Sequence, residues 1–289
     1  MPIDRDLLKT LRQEALSMGR EEGRALVDMY YQIQDKRLAS GNQRRAIEQQ
    51  TDSGPVSIHA WLYDSMMDIE NRIKDLLGRY AAADPVGAWS QSICGIGPVM
   101  SAGLLAHIDI TKAPTAGSIW RFAGLDPTLQ WNKGEKRPFN ADLKVLAFKL
   151  GDSFIKVSSN DNDVYGHLIQ ERMQYEHELN ASGAYAEQAA AIIEARPNHK
   201  QAATYKEGML PDGHIFMRAK RWGVKLFLAH YHEVAYWAHY GSAPPAPYIF
   251  EHGEGQHVHR LDPPNWQRPT HRMSEEVFNR QWLNDGPAR

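Results

Sequence analysis

The chain has 289 residues, of which 42% are hydrophobic, and a formal net charge of −2 at pH 7. This balance excludes a uniformly basic nucleic-acid binder, so any contact with nucleic acid has to come from local patches of positive charge. The single cysteine, Cys94, excludes an intramolecular disulfide, and no run of 18 apolar residues is present. We therefore expect a soluble, cytoplasmic protein that has no contact with membranes.

The N-terminal part of the chain is predicted to be helical. Apolar residues recur at spacings of three and four from Asp4 to about Gln50, and the pattern resumes after a turn cluster at Thr51–Ser57. A break is expected near Gly19 or Gly41. The two long helices are predicted to pair antiparallel or by exchange between copies, so residues 1–84 are interpreted as a helical arm that serves homo-oligomerisation.

A helical domain and an irregular tail are predicted to follow Asp84–Pro85. Apolar spacing and the positions of glycine and proline indicate helices at 98–107, 118–124, 141–158, 164–180 and 214–241. The Ala-rich stretch around Pro197 indicates two helices, or one helix and an irregular arm. We predict an all-α protein with the arm at 1–84, a helical domain at 85–241 and an extended, docked tail rich in Pro, Gly and His at 242–289.

The stretch ICGIGPVMSAGLLAHI, residues 93–108, contains the strongest functional signal. Two glycines separated by one aliphatic residue make a tight turn, and the positive end of the following helix points toward it. In a helix-hairpin-helix, amides of such a turn donate to a DNA phosphate. The residues concerned would be Gly95, Ile96, Gly97 and Val99. The alternative is an ordinary helix start with a small-residue packing face.

Basic residues cluster in two later stretches that could extend such a phosphate contact. The first runs from Lys133 to Lys156 and the second, from Gly213 to Ala229, has no acidic residue. The predicted DNA-contacting cations are Lys133, Lys136, Arg137, Lys144 and Lys149 in the first stretch, and Arg218, Lys220, Arg221 and Lys225 in the second. The alternative is two solvated helix faces. Trp131, beside Lys133, either stacks on an exposed base or anchors its own loop.

Histidine is dense in the tail segment EHGEGQHVH, residues 251–259. His252, His257 and His259 are therefore weak candidates for metal ligands, although their spacing matches no known site. Histidines packed in a Gly- and Pro-rich tail are the favoured alternative. We predict no cofactor and leave a divalent metal ion open.

The order of these motifs resembles a known family. The glycine turn, then FAGLDP at 122–127, a basic loop and helix with Lys144 and Lys149, and RAKRWGVKLFLAHYHEVAY at 218–236 resemble the C-terminal domain of bridge-RNA-guided insertion-sequence transposases. Those enzymes pair this helix-hairpin-helix "transposase" domain with a RuvC-like domain. The resemblance spans about residues 85–240 and implies a helical domain that contacts DNA and guide RNA, assists oligomerisation and carries a nucleophilic serine.

Two departures from the family pattern limit what is carried over. Residues 1–84 are helical and too short for the RuvC-like domain with its metal-binding carboxylates. The loop at 129–140, where the family serine belongs, contains no serine, and Thr128 is the nearest hydroxyl. No catalytic residue is therefore assigned. The resemblance implies nucleic-acid binding more strongly than recombination, and an origin in a phage or another mobile element.

Three hypotheses follow from the sequence. The preferred one is a transposase-like DNA-binding protein, with structured RNA as a further partner. The second is an enzyme, either a residual recombinase or a base-acting relative of helix-hairpin-helix glycosylases; Asp109 lies too close to the hairpin for the glycosylase aspartate. The third is an interaction protein that has lost DNA binding. Whether the chain is an enzyme is left open, with the balance against it.

Overall fold

Every regular element in the described part of the chain, residues 5–51, 57–245 and 260–269 of a computed structural model, is a helix. The all-α prediction is confirmed. The α-helices are α1 (Arg5–Glu14), α2 (Arg20–Thr51), α3 (Ser57–Ala82), α4 (Pro85–Gln91), α5 (Pro98–His107), α6 (Ala116–Phe122), α7 (Ala141–Val157), α8 (Tyr165–Ala181), α9 (Ala186–Ala195), α10 (Ala202–Lys206) and α11 (Asp212–Tyr240). Two short 3-10 helices lie at Ala15–Ser17 and Ile110–Lys112.

The N-terminal helices form an antiparallel hairpin within one chain. The predicted break near Gly19 is present, whereas α2 continues through Gly41. A partly buried ion pair links the two long helices, since Arg37 Nε donates to Glu70 Oε2 over 2.5 Å and Tyr30 Oη donates to Glu70 Oε1 over 3.1 Å. Burial alone would raise the pKa of Glu70, but these bonds outweigh it and hold that pKa below its usual value.

The N-terminal hairpin packs directly on the following domain through α5. Buried side chains of α2 and α3 join two residues of α5, Val99 and Ala102, in one apolar cluster. Leu104, on the same short helix, belongs instead to the main core of the domain. The predicted role of residues 1–84 in oligomerisation stays a prediction, but these residues also form one wall of the domain that carries the glycine turn.

The main core is aromatic and is centred on α11. Phe227 stacks on Trp89 of α4 with ring centroids 5.9 Å apart, and it makes edge contacts with Phe154 of α7 and Tyr165 of α8. These rings bury a large apolar area and prefer such offset and edge-on arrangements. The long α11 therefore joins three other helices, α4, α7 and α8, in one core.

Glu176 of α8 fastens the α9–α10 segment to the core. Its side chain is 2% exposed, and it accepts hydrogen bonds from Arg172, Arg218 and the hydroxyl of Tyr185. Burial alone would raise the pKa of Glu176, but these three bonds lower it below its usual value. A buried carboxylate is tolerated here because two guanidinium groups and one hydroxyl compensate for its lost hydration.

Residues 260–269 lie across α4 and α11 without regular structure. The Pro264 carbonyl accepts from Trp89 Nε1 over 2.8 Å, and Asn265 Nδ2 donates to the Ser92 carbonyl over 2.8 Å. Arg260 and Arg268 both pair with Glu233 of α11, at 2.6 and 2.8 Å. This segment therefore supports the end of α4, next to the glycine turn.

Replacing Glu176 by Gln is expected to lower the free energy of unfolding by about 3 kcal/mol, because two buried or half-buried arginines lose their anion. Since its folded pKa is depressed, Glu176 contributes its stability above its unfolded pKa and loses it as pH falls through the folded value. The difference between wild type and Glu176→Gln should therefore shrink below about pH 4.

Urea denaturation at several pH values measures this difference. Glu178→Gln, an exposed position on the same helix, is the matched control and should change the unfolding free energy by less than about 0.5 kcal/mol. Equal effects of the two variants would contradict the role given to Glu176.

Candidate nucleic-acid interface

The glycine turn lies between two helices, α4 and α5. The short α4, which the sequence analysis did not predict, is capped by Asp84, whose Oδ1 accepts from the amides of Val86 and Gly87 at 2.8 and 3.3 Å. A side chain at Gly87 would meet the Ala81 carbonyl oxygen at 2.1 Å. Only glycine lets α4 pass so close to the end of α3. The two helices α4 and α5 therefore flank the turn at Gly95–Gly97.

Two buried serines join α4 to α5. The hydroxyls of Ser90 and Ser101 lie 2.5 Å apart, and each lies 2.9 Å from the carbonyl oxygen of Gly87. Both residues are fully buried. Buried hydroxyls that satisfy one another fix the relative position of the two helices, and hence the geometry of the turn between them.

Gly95 forms the tight point of the turn. Its φ is +90°, and its carbonyl accepts from Ser153 Oγ of α7 over 2.5 Å. The Ile96 side chain is 5% exposed and anchors the turn in the main core. The Ile96 amide donates to the Ile93 carbonyl over 3.0 Å, so this amide is not available to a ligand.

Gly97 is the exposed residue of the turn and the N-cap of α5. A Cβ there would have no heavy atom within 4 Å. The amides of Val99 and Met100 belong to the first turn of α5 and have no acceptor within the helix. They lie at the positive end of the helix dipole. The Val99 side chain itself is buried, so any contribution of Val99 to a ligand comes from its backbone.

Three lysines from two parts of the chain surround this turn. A cavity of about 420 Å³ beside Gly95 and Gly97 is lined by Lys74 of α3 and by Lys149 and Lys156 of α7. Lys149 was predicted as a site residue, Lys156 was only counted among the cations, and Lys74 was missed. No local pattern marks Lys74, because it lies 21 positions before Gly95 and only the packing of α3 on α5 brings it near.

The charges inside this cavity are predominantly positive. Lys149 Nζ lies 3.2 Å from the centroid of the Tyr31 ring, a cation–π contact that positions the ammonium group. Burial lowers the pKa of Lys149, and the charge of Asp35 opposes this effect. Asp152 also lines the cavity, but its carboxylate is paired with Lys220. The lysine charges are therefore only weakly compensated.

Apart from Lys149, the predicted cations of the first basic stretch are exposed but lie away from the turn. Lys133, Lys136 and Arg137 lie on the loop before α7, where Trp131 Nε1 donates to the Glu135 carbonyl over 2.8 Å and Arg137 lies over the Trp131 ring. Lys144 lies over the ring of Phe139. Because Lys144 precedes Ser153 by nine residues of α7, it lies roughly 13 Å from the turn along the helix axis.

The second basic stretch needs a correction. Lys220 is 2% exposed, pairs with Asp152 and covers the ring of Phe148, so its charge stabilises the α7–α11 contact and is not available to a phosphate. Arg218 pairs with Glu176 at 2.8 Å. Its charge is likewise engaged. A sequence-based count of cations does not reveal these pairings, because the partners are distant in the chain.

Arg221 is exposed and Lys225 is half-buried. Burial lowers the pKa of Lys225, the charge of Arg221 adds to this effect, and the charge of Asp126 opposes it. The Lys225 ammonium lies 5.3 Å from the Trp120 ring centroid, next to α6. The structure does not bring these two cations to the cavity beside the glycine turn.

The candidate metal ligands His252, His257 and His259 lie outside the described residues. Within residues 5–51, 57–245 and 260–269, no group of three or more His, Cys, Asp or Glu side chains could hold a metal ion. In the same ranges, no helix combines the length and apolar character that crossing a membrane requires.

Comparisons with protein-family models, with curated proteins and with solved structures find no match to this chain.

The two glycines of the turn should differ in their tolerance of alanine. Gly95→Ala is expected to lower the free energy of unfolding by about 1–2 kcal/mol, because φ is positive and the new Cβ would meet Val157 at 3.1 Å. Gly97→Ala should cost only about 0.5 kcal/mol, since its backbone is unstrained and the space is open, and the remaining cost is that alanine is a poorer N-cap than glycine. Thermal and urea unfolding measure both, and equal costs would contradict this geometry.

Proposed function

We propose that the protein binds DNA through its phosphate backbone, at the turn formed by Gly95–Gly97. The observation that carries the proposal is the cavity beside this turn, in which three lysine side chains accompany the amide-rich start of α5. Amides at a helix start and ammonium groups are the donors that phosphate accepts, and neither reads a base. The affinity is therefore expected to depend on the phosphate backbone of the DNA and not on its base sequence.

The shape of the turn supports this proposal. Gly97 protrudes with open space around it, while Ile96, Ser153 and the Ser90–Ser101 pair hold the rest of the turn rigidly. A donor group that is already in position loses little conformational entropy when it binds. A phosphate could approach the α5 amides without displacing any side chain at Gly97.

Exposed cations beyond the cavity would extend the contact to further phosphates. Lys133, Lys136, Arg137 and Lys144 precede or begin α7, the helix that carries Lys149 and Lys156. One helix therefore connects the turn to the basic loop. We keep these residues in the proposed interface and remove Lys220, and we treat Arg218 as a structural residue.

The order of helices supports a transposase-like type of binding protein. The helices around the glycine turn, then α6, the basic loop, α7 and the long α11 carry, in this order, the sequence motifs that resemble the transposase family. We propose that this domain binds DNA in a homo-oligomer, and we assign it no nucleophile because the loop at 129–140 has no serine.

Lys74→Gln/Lys156→Gln is expected to weaken binding to a labelled DNA duplex about tenfold for each lysine at 0.1 M salt. The slope of log affinity against log salt should fall in magnitude by about 0.9 for each phosphate contact that is lost. Gly97→Asp should weaken binding further, because it places a carboxylate at the exposed point of the turn without a steric clash. Fluorescence anisotropy at several salt concentrations measures the affinity of each variant and its dependence on salt.

Lys206→Gln is the matched control, since this exposed lysine lies on α10, and it should leave affinity and slope unchanged. Unchanged affinity in Lys74→Gln/Lys156→Gln and Gly97→Asp would refute the proposed site. An absence of duplex binding by the wild-type protein at low salt would refute the function, and binding to structured RNA alone would replace DNA as the partner.

A further inference from the structure

A second cavity lies at the other end of α5, away from the glycine turn. It measures about 450 Å³ and opens where three parts of the chain meet. The start of α2 contributes Arg20, the junction of α3 and α4 contributes Tyr80 and Asp84, and the C-terminal part of α11 contributes Tyr231 and His239. Its volume falls within the range of small-molecule sites, and polar and apolar groups contribute to its walls in similar measure.

Tyr231 places an unpaired hydroxyl in this cavity. Its residue is 2% exposed, and within the described ranges its Oη forms no hydrogen bond. This oxygen is not fully enclosed by protein atoms. It therefore faces the cavity that the Tyr231 side chain lines. Water in the cavity can reach this hydroxyl, and a ligand that accepts its hydrogen would take the place of that water.

The ionisation of Tyr231 is compatible with a donor role. Burial raises the pKa of Tyr231 well above its usual value, and the nearby charge of Asp84 adds to the shift. The hydroxyl therefore stays protonated under conditions in which the protein is folded. It can donate to a neutral acceptor such as a ring nitrogen.

Asp84 offers one acceptor oxygen beside this donor. Its Oδ1 is occupied by the amides of Val86 and Gly87, and in the described part of the chain it forms no ion pair. Arg20, the cation of the cavity, is paired with Asp109 at 3.0 Å. The cavity therefore places the phenol of Tyr231 and one free carboxylate oxygen of Asp84 together, beside the phenol of Tyr80 and the imidazole of His239. The negative charge of Asp84 favours a ligand that donates a hydrogen bond to it.

We infer that this cavity binds an amino-substituted nitrogen heterocycle of the adenine type. The exocyclic amine would donate to Asp84, and the adjacent ring nitrogen would accept from Tyr231. A ligand with two donors side by side fits less well, because Asp84 has only one oxygen free. The base is held between the N-terminal hairpin and α11, either as a free nucleoside or as an unpaired base of a strand.

Ligand-observed saturation-transfer NMR on the full-length chain tests this inference, with adenosine and a short single-stranded adenylate as probes. Adenosine should bind more tightly than inosine, which has the same size but carries an oxygen in place of the amine. Tyr231→Phe should weaken adenosine binding about 5- to 10-fold, the effect of one lost hydrogen bond. Because the hydroxyl has no hydrogen-bond partner among the residues that the structure describes, this variant should fold as the wild type does.

Tyr175→Phe, an exposed phenol on α8, is the matched control and should leave adenosine binding unchanged. Asp84→Asn keeps a good helix cap and should weaken binding as Tyr231→Phe does. Binding of the adenylate alone, with the same dependence on Tyr231, would identify a strand as the source of the base. Equal binding of adenosine and inosine, no effect of Tyr231→Phe, or no transfer from either probe would overturn the inference.

This inference is independent of the proposed DNA contact. The ten residues of α5 separate the two cavities by roughly 15 Å. Tyr231→Phe should therefore leave the affinity for duplex DNA unchanged, and failure of one proposal does not imply failure of the other.

Discussion

The burial of α5 is the constraint on which the rest of the structure depends. One part of this ten-residue helix packs with α2 and α3, and another part packs in the main core with α7 and α11. Its small residues permit this close approach on both sides. A helix fixed in this way cannot tilt without disturbing two apolar clusters. The turn that precedes it is therefore rigid, and Gly97 is the point at which it meets solvent.

This constraint also explains why the candidate sites are composite. The cavity at the start of α5 takes Lys74 from the N-terminal hairpin and Lys149 from α7. The cavity at its other end takes Tyr80 and Asp84 from the α3–α4 junction and Tyr231 from α11. Removal of residues 1–84 would therefore do more than remove a means of association. It would take away one wall of each cavity.

The sequence contains most of the fold but only part of the site. Apolar spacing and the Gly97–Pro98 pair predicted a helix at 98–107, and α5 has these bounds, because helix limits depend on local chemistry. The short α4 was missed, since seven residues give little periodicity. The cations were harder to place: Lys220 and Asp152 are 68 residues apart, and Lys74 reaches the turn only through tertiary packing. Which charges are engaged depends on long-range contacts that spacing does not show.

The most direct test of the central claim is an amide NMR spectrum of glycine-selectively ¹⁵N-labelled protein, recorded with and without a short DNA duplex. If the turn binds phosphate, the Gly95 and Gly97 amides should show the largest shift changes, whereas Gly183 and Gly208, in the α8–α9 and α10–α11 connections, should show none. Shift changes confined to other glycines, with Gly95 and Gly97 unaffected at saturating duplex, would contradict the account.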